Sequence, residues 1–336
     1  MRSLLAALLL SSAVSNAFEV KRDSSGEIAA WKSGIHFILD ENFSRKLDAA
    51  RAADGVSAAI ATVQTAVPAL SIDVTPGKPH GIGYDFDQPA QSTSDIVVPD
   101  DWKFDENAVA VTVVSLSKKT HAIIEADIAF NARHTAFTVV GVGPEVTRYD
   151  VQNAMTHELG HALGLAHNDL PQSVMYPHST PGEVSKRVLS KDDLDGLEFL
   201  YPSAIVSMTA PRAVGCNATG SAPFALLAVG LVLLSRRRAA ATLLMLGALT
   251  FVAPVFAAAV TTEQAWKVES TRTVPPASGS AVLQTELTLE RDGVRHVVHV
   301  WGGSFGDIEQ IVEGLPVPEV GTRLVLASDP SSKARR

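Results

Sequence analysis

THELGHALGLAH, residues 156–167, followed by SVMYP at 173–177, is the stretch from which the rest of this 336-residue chain can be read. On a helix His157 and His161 stand four apart and leave the same face about one turn from each other, so both imidazoles can share one metal ion. Glu158 projects about 100° around the same helix, which sets a carboxylate beside the metal's open position, where a general base belongs. Gly164 can take a left-handed conformation that ends the helix and turns the chain, so that His167 returns to the metal from outside the helical register. Three neutral imidazoles with one place left for water make the donor set of a catalytic zinc site, whereas a structural site would be closed.

HExxHxxGxxH with a later Met is a metalloprotease signature. At these residues the chain resembles the metzincin zinc endopeptidases, and SVMYP makes it most similar to their matrixin branch, over residues 30–202. The resemblance implies that His157, His161 and His167 bind zinc, that Glu158 is the base, and that Met175 sits in a turn beneath the metal, packing without bonding to it. It implies that residues 176–179 form a wall of the pocket for the residue after the scissile bond. It further implies that the strand in IIEADIAFN (123–131), with Asp127 alternating among apolar neighbours, lies at the sheet edge above the cleft and pairs with extended substrate. Such main-chain pairing supplies affinity indifferent to sequence. Two departures stand out. Asn168 follows the third histidine where Ser is usual, and His36, His80, His121 and His134 lack the spacing for a second zinc, which stays unassigned. The resemblance and the scattered aspartates also admit calcium, which is left unassigned because no EF-hand loop or comparable cage is present. No cysteine precedes the site, so a latency switch built on a propeptide thiolate is expected to be absent.

The segments around the motif predict an α+β catalytic domain over 18–202, with a mixed twisted sheet, long helices, a zinc helix and a closing helix. Strands are expected at 35–39, 70–74, 108–116 and 123–130, with a helix over 43–67 closed by Pro68. Residues 76–101, rich in Pro, Gly and Asp, read as surface loop. The metal helix is expected to start near Asp150, a good N-cap residue, although Thr147 with Asp150 three later also fits a capping box. SKDDLDGLEFLY, 190–201, opens with a capping box and carries leucines at helical spacing.

Composition bounds what lies outside that domain. A net charge of −8 without a basic stripe excludes nucleic acid as a partner. With 46% hydrophobic and 19% charged residues, the apolar excess falls at 1–17 and 218–260. Residues 1–17 read as a secretory signal, with Arg2, an apolar run and small residues before the cleavage point. After a linker at 203–217, two uncharged runs at 218–235 and 239–260 flank Arg236, Arg237 and Arg238. Each is near the ~20 residues a membrane span needs, and the arginines should stay cytoplasmic. The 215–238 segment, with Gly215-Cys216, an apolar run and the arginines, resembles a MYXO-CTERM sorting tail. That resemblance implies processing and lipid attachment at Cys216, the only cysteine. Residues 261–336 read as a small β domain with a hairpin around Asp292-Gly293.

The expectation is an exported zinc endopeptidase held at the cell envelope by the membrane, its catalytic domain outside the cytoplasm, acting on peptide or protein substrate with one catalytic zinc and no obligate partner evident. The alternative is a membrane-tethered, non-catalytic binding module in which zinc is structural.

Overall fold

The computed structural model describes residues 18–68, 70–139, 147–202, 265–275, 279, 281–313 and 317–324. The signal-like segment 1–17, the linker, Cys216 and both apolar runs at 218–260 lie outside the described residues. Among the described residues no helix is long and apolar enough to cross a membrane. The described segments before 203 and after 264 belong to one compact unit.

An eight-stranded mixed sheet carries the site. Strand β3 (Ile35–Asp40) buries Ile35, Phe37 and Leu39 on alternate positions, the period-2 pattern of a pleated strand. Helices α1 (Phe43–Lys46) and α2 (Ala52–Ala66) follow. The single helix expected over 43–67 is two, because Asp48 takes a left-handed φ of 51° between them and no L-residue continues a right-handed helix from there. Strand β4 (Ile72–Gly77) then lies parallel to β3. Inside the stretch expected as loop, residues 94–97 form β5 (Ser94–Val97), buried throughout and parallel to β3. A buried parallel strand reads as a short apolar run, and four residues beside a turn-rich segment give periodicity too little to register.

Strands β6 (Ala110–Ser117) and β7 (Ala122–Phe130) run antiparallel to each other. Strand β7 also pairs with β5, so it lies inside the sheet. The expectation that 123–131 forms the edge above the cleft is therefore corrected: in the order β6-β7-β5-β3-β4 it is β6 that bounds residues 18–202. Alternation identified a strand but not its neighbours. Asp127 is wholly buried and accepts N–H bonds from Gly83 (2.7 Å) and Asp95 (2.8 Å), which is what a polar side chain inside a sheet requires.

Helix α3 (Val151–Ala162) packs with α2 on this sheet. The main core joins Phe37, Ile96, Ile128 and Phe130 of the strands to Val56 and Leu159 of the helices. Burying each of these side chains is worth about 2–3 kcal/mol. Helix α4 (Lys191–Leu200) closes the layer, with Leu197 buried.

Beyond residue 264, β11 (Trp266–Val274), β12 (Gln284–Arg291), β13 (Val294–Trp301) and β16 (Arg323–Leu324) form a second, four-stranded antiparallel sheet. Asp292 and Gly293, with φ of 53° and 78°, make its hairpin turn, the two-residue geometry that matches strand twist. The chain then leaves that sheet. Strands β14 (Gly303–Phe305) and β15 (Ile308–Val312) form a hairpin, and β15 pairs antiparallel with β6, Ile308 opposite Ser117 and Val312 opposite Val113.

Candidate active site

Helix α3 starts where a carboxylate satisfies its first free amides. Asp150 Oδ1 accepts from Asn153 N at 2.8 Å, and Arg187 grips the same carboxylate with Nε at 2.8 Å and Nη2 at 2.6 Å. A bidentate guanidinium fixes direction as well as charge. At the other end Gly164, with φ of +97°, turns the chain. Its missing Cβ would stand 2.5 Å from the Ala29 carbonyl oxygen. Strand β10 (Leu165–Ala166) pairs with β1 (Glu19–Val20) and carries the chain to His167.

These elements bring His157, His161 and His167 together, their Nε2 atoms 3.1, 3.1 and 3.3 Å apart. Among the described residues they are the one group of three or more His, Cys, Asp or Glu side chains able to hold a metal ion. Two of the rings are oriented from behind, His157 Nδ1 donating to the Val174 carbonyl at 2.6 Å and His161 Nδ1 to that of Leu165 at 3.0 Å. A carbonyl can only accept, so each neutral ring carries its proton on Nδ1 and turns a lone pair inward from Nε2. Burial, with the ammoniums of Lys186 and Lys21 adding to it, holds His157 and His161 well below the usual histidine range, and burial with Lys21 lowers His167 to about 4. The rings are therefore neutral at pH 7.

Acceptors converging with no donor between them repel unless a cation joins them. Tetrahedral zinc with bonds of about 2.0 Å sets its nitrogens roughly 3.3 Å apart, and the observed spacing agrees within 0.2 Å. The donor set fits zinc, and the buried carbonyls behind His157 and His161 supply the outer-shell bonds such ligands use.

Glu158 is buried beside this cluster. Thr112 of β6 donates its hydroxyl to Glu158 Oε2 at 2.6 Å. Burial pushes the Glu158 carboxyl up to about 7, against the pull of that hydroxyl and of Lys21 and Lys186. A cleft of about 480 Å³ opens here, lined by residues 108–111, the three histidines, Glu158 and residues 177–179. Of residues 176–179, 177–179 line this cleft.

Met175 is buried against the zinc helix, 2% exposed. Its Sδ would be 2.3 Å from a Cβ on Gly160, so the glycine inside HELGH makes room for the methionine. Asp193 ties this turn to α4. It accepts from Ser173 Oγ at 2.5 Å and Val174 N at 2.9 Å while closing the capping box with Ser190. Asn168 adds bonds to Ser173 Oγ and Asp192, both at 2.8 Å, so this departure from the usual serine is a structural tie. The other histidines stay apart: His36 meets Thr75, His80 meets Thr93, and His121 meets Asp23.

Four residues at the site carry no signal in the sequence. Thr112 sits in an ordinary strand pattern, and Lys186 in a single 3₁₀ turn (Ser185–Arg187). Lys21 is buried beside the histidines and paired with Glu313. Glu313 arrives at the end of β15, its carboxylate 3.5 Å from His167 Nδ1 and 3.7 Å from His161 Nδ1.

A family model described as Matrixin matches residues 30–202, half of the chain. The chain belongs to the matrixin family. Among curated relatives, human matrilysin is 48% identical over 48 residues, 14% of this chain and 18% of its own length. The metalloendoproteinase 2-MMP of Arabidopsis thaliana is 42% identical over 52 residues, 16% and 14% of the two chains. Human neutrophil collagenase is 42% identical over 53 residues, 16% and 11%. The matched stretch spans less than a fifth of each of these relatives.

Proposed function

We propose that this matrixin is a zinc endopeptidase, with His157, His161 and His167 holding the metal, Glu158 acting as base and Met175 supporting the cluster from below. The observation that carries the reading is the convergence of three neutral imidazole acceptors, with the Glu158 carboxylate buried at the same cleft. Bound zinc supplies a Lewis acid that polarises the scissile carbonyl and acidifies water. Glu158 takes the proton from the attacking water and returns it to the departing amine, and a carboxyl whose burial raises it to about 7 is matched to doing both near neutral pH. Thr112 holds one Glu158 oxygen and leaves the other for that proton. Residues 177–179 bound the space for the side chain after the scissile bond.

The substrate class is peptide or unfolded protein. The full chain loaded with zinc should cleave casein, and a chelator should stop it. Glu158→Ala should lower kcat by roughly 10²- to 10⁴-fold while zinc stoichiometry stays near one. Undiminished cleavage by Glu158→Ala would sink the assignment.

Export and attachment to the cell envelope complete the proposal, supported by the signal-like order of residues 1–17 and by the apolar runs around Arg236–Arg238. Mass spectrometry of the protein isolated from its own membranes reads both termini and any lipid on Cys216. Recovery in the cytosol with residues 1–17 intact would overturn this part.

A further inference from the structure

The edge of β6 is divided at the metal. Residues 108–111 line the open cleft, Thr112 holds Glu158, and from Val113 to Ser117 the edge is covered by β15. An extended peptide lying across the histidines can add to this edge as a further strand, and where it runs on past Thr112 it meets β15 on Val113 to Ser117. One half already holds a segment of this chain. The ladder runs on past both ends of the paired residues: Lys118 N donates to the Asp307 carbonyl at 2.7 Å and, at the site, Glu313 N to that of Thr112 at 3.2 Å. Glu313 ends the run with its carboxylate at His161, His167 and Lys21.

We infer that residues 308–313 are a built-in occupant of the peptide-binding edge, a competitor that leaves β6 when extended substrate pairs across the metal. The inference rests on the peptidase reading. The main core is built from residues between 20 and 201 with Ile311 at its margin, so it closes without β15. What holds β15 is a smaller set of contacts. Val312 packs with Trp102 and Val113, Gln310 bonds Ser115 Oγ at 3.2 Å and Leu283 N at 2.6 Å, and Glu309 takes Ser24 Oγ at 2.7 Å. Departure of β15 therefore uncovers the side of Trp102 and Val113 that meets Val312 and leaves the main core packed.

The test uses the full chain loaded with zinc. The bonds at Asp307 and Glu313 fix the ladder's parity and aim the Ile311 amide at β6, so Ile311→Pro removes a rung. Its KM for an unstructured peptide should fall about tenfold with kcat little changed, since a competitor lowers apparent affinity by the fraction of closed chain. Glu313→Gln should move KM the same way by less. An unchanged KM in a folded Ile311→Pro chain overturns the inference. If that variant does not fold, hydrogen exchange on the Glu158→Ala chain decides. Saturating peptide should deprotect the amides of 308–313 and leave 113–117 protected, and bound peptide with 308–313 still protected refutes the occupant while the peptidase reading stands. Failure of every form to cut peptide removes the peptidase reading, and with it what the strand competes for.

Discussion

Two places in this molecule bury several ionisable side chains together, and they resolve the cost in opposite ways. At the near end of the sheet, three imidazoles face one another with Nε2 atoms 3.1–3.3 Å apart and no donor among them. On the neighbouring strands β5 and β7, Asp95, Glu125 and Asp127 are as deeply buried, yet donors meet their oxygens: Gly83 N and Asp95 N at Asp127, His80 N and Gly81 N at Asp95, the Ser92 hydroxyl at Glu125. A buried polar group is tolerable once partnered. The acid cluster is closed within the protein, while the histidine cluster is complete only with a cation. Burial alone marks neither as functional; the missing partner does.

The sharpest way to break that contrast is to remove one acceptor. His161→Ala leaves two imidazoles, and tetrahedral zinc then lacks one of three protein ligands. Stoichiometric zinc retention should be lost in equilibrium dialysis, peptide cleavage should fall below detection, and the stabilisation that saturating zinc gives the parent chain, about 3 kcal/mol at 100 times its Kd, should vanish. A His161→Ala chain that keeps one tightly held zinc would show that the convergence is not the metal site.

What the sequence made legible follows the same division. The zinc helix was readable because its geometry is local: Asp150, His157, His161 and Gly164 act through spacings of a few residues. Observed helix bounds, Val151–Ala162 with Asp150 as N-cap, lie where those residues place them. The closing helix and the Asp292-Gly293 hairpin were readable for the same reason. The rest depends on contacts between distant segments. Strand β5 hides in turn-rich sequence because its burial comes from β3 and β7 on either side. The identity of the edge strand is a statement about neighbours, and β7 alternates as well as an edge would. Glu313 and Lys21 reach the histidines from opposite ends of the chain, nearly 300 residues apart, and no spacing encodes that meeting.

The acid cluster gives a prediction of opposite character, in stability instead of chemistry. Burial raises Glu125 to about 7, partly offset by the Ser92 hydroxyl, and lifts Asp127 well above the carboxylate range, with Glu125 adding to it. The folded state thus binds protons more tightly than the unfolded chain between about pH 4.5 and 7. The sign follows from linkage: stability is greatest with Glu125 protonated and falls as pH rises through that window. Glu125→Gln keeps the shape and removes the titration. Denaturant unfolding of both chains at saturating zinc should give Gln at 125 an advantage at pH 7.5 that shrinks toward pH 5. A pH-independent difference would mean that the cluster's charge does not differ between the folded and unfolded states.

The smallest expected effect lies where the two regimes meet, at Thr112. Its hydroxyl gives Glu158 a partner inside the protein, as Ser92 does for Glu125, yet Glu158 also faces the cleft. If that bond only satisfies a buried carboxylate, Thr112→Val should cost stability, about 1–3 kcal/mol for an acceptor left without its donor, and leave kinetics alone. If it also aims the free oxygen at water, kcat should drop about tenfold or more with KM nearly unchanged, the size outer-shell partners have at metal sites. The site geometry favours the second outcome, because the single Thr112 proton goes to the carboxylate at 2.6 Å, with the main-chain carbonyl of Glu158 a more distant 3.2 Å from the same oxygen, so the bond falls on the group that faces the cleft. Thr112→Ser, which keeps the hydroxyl and drops the methyl group, should restore kcat, and a stability loss without any change in kcat would reduce Thr112 to a structural donor.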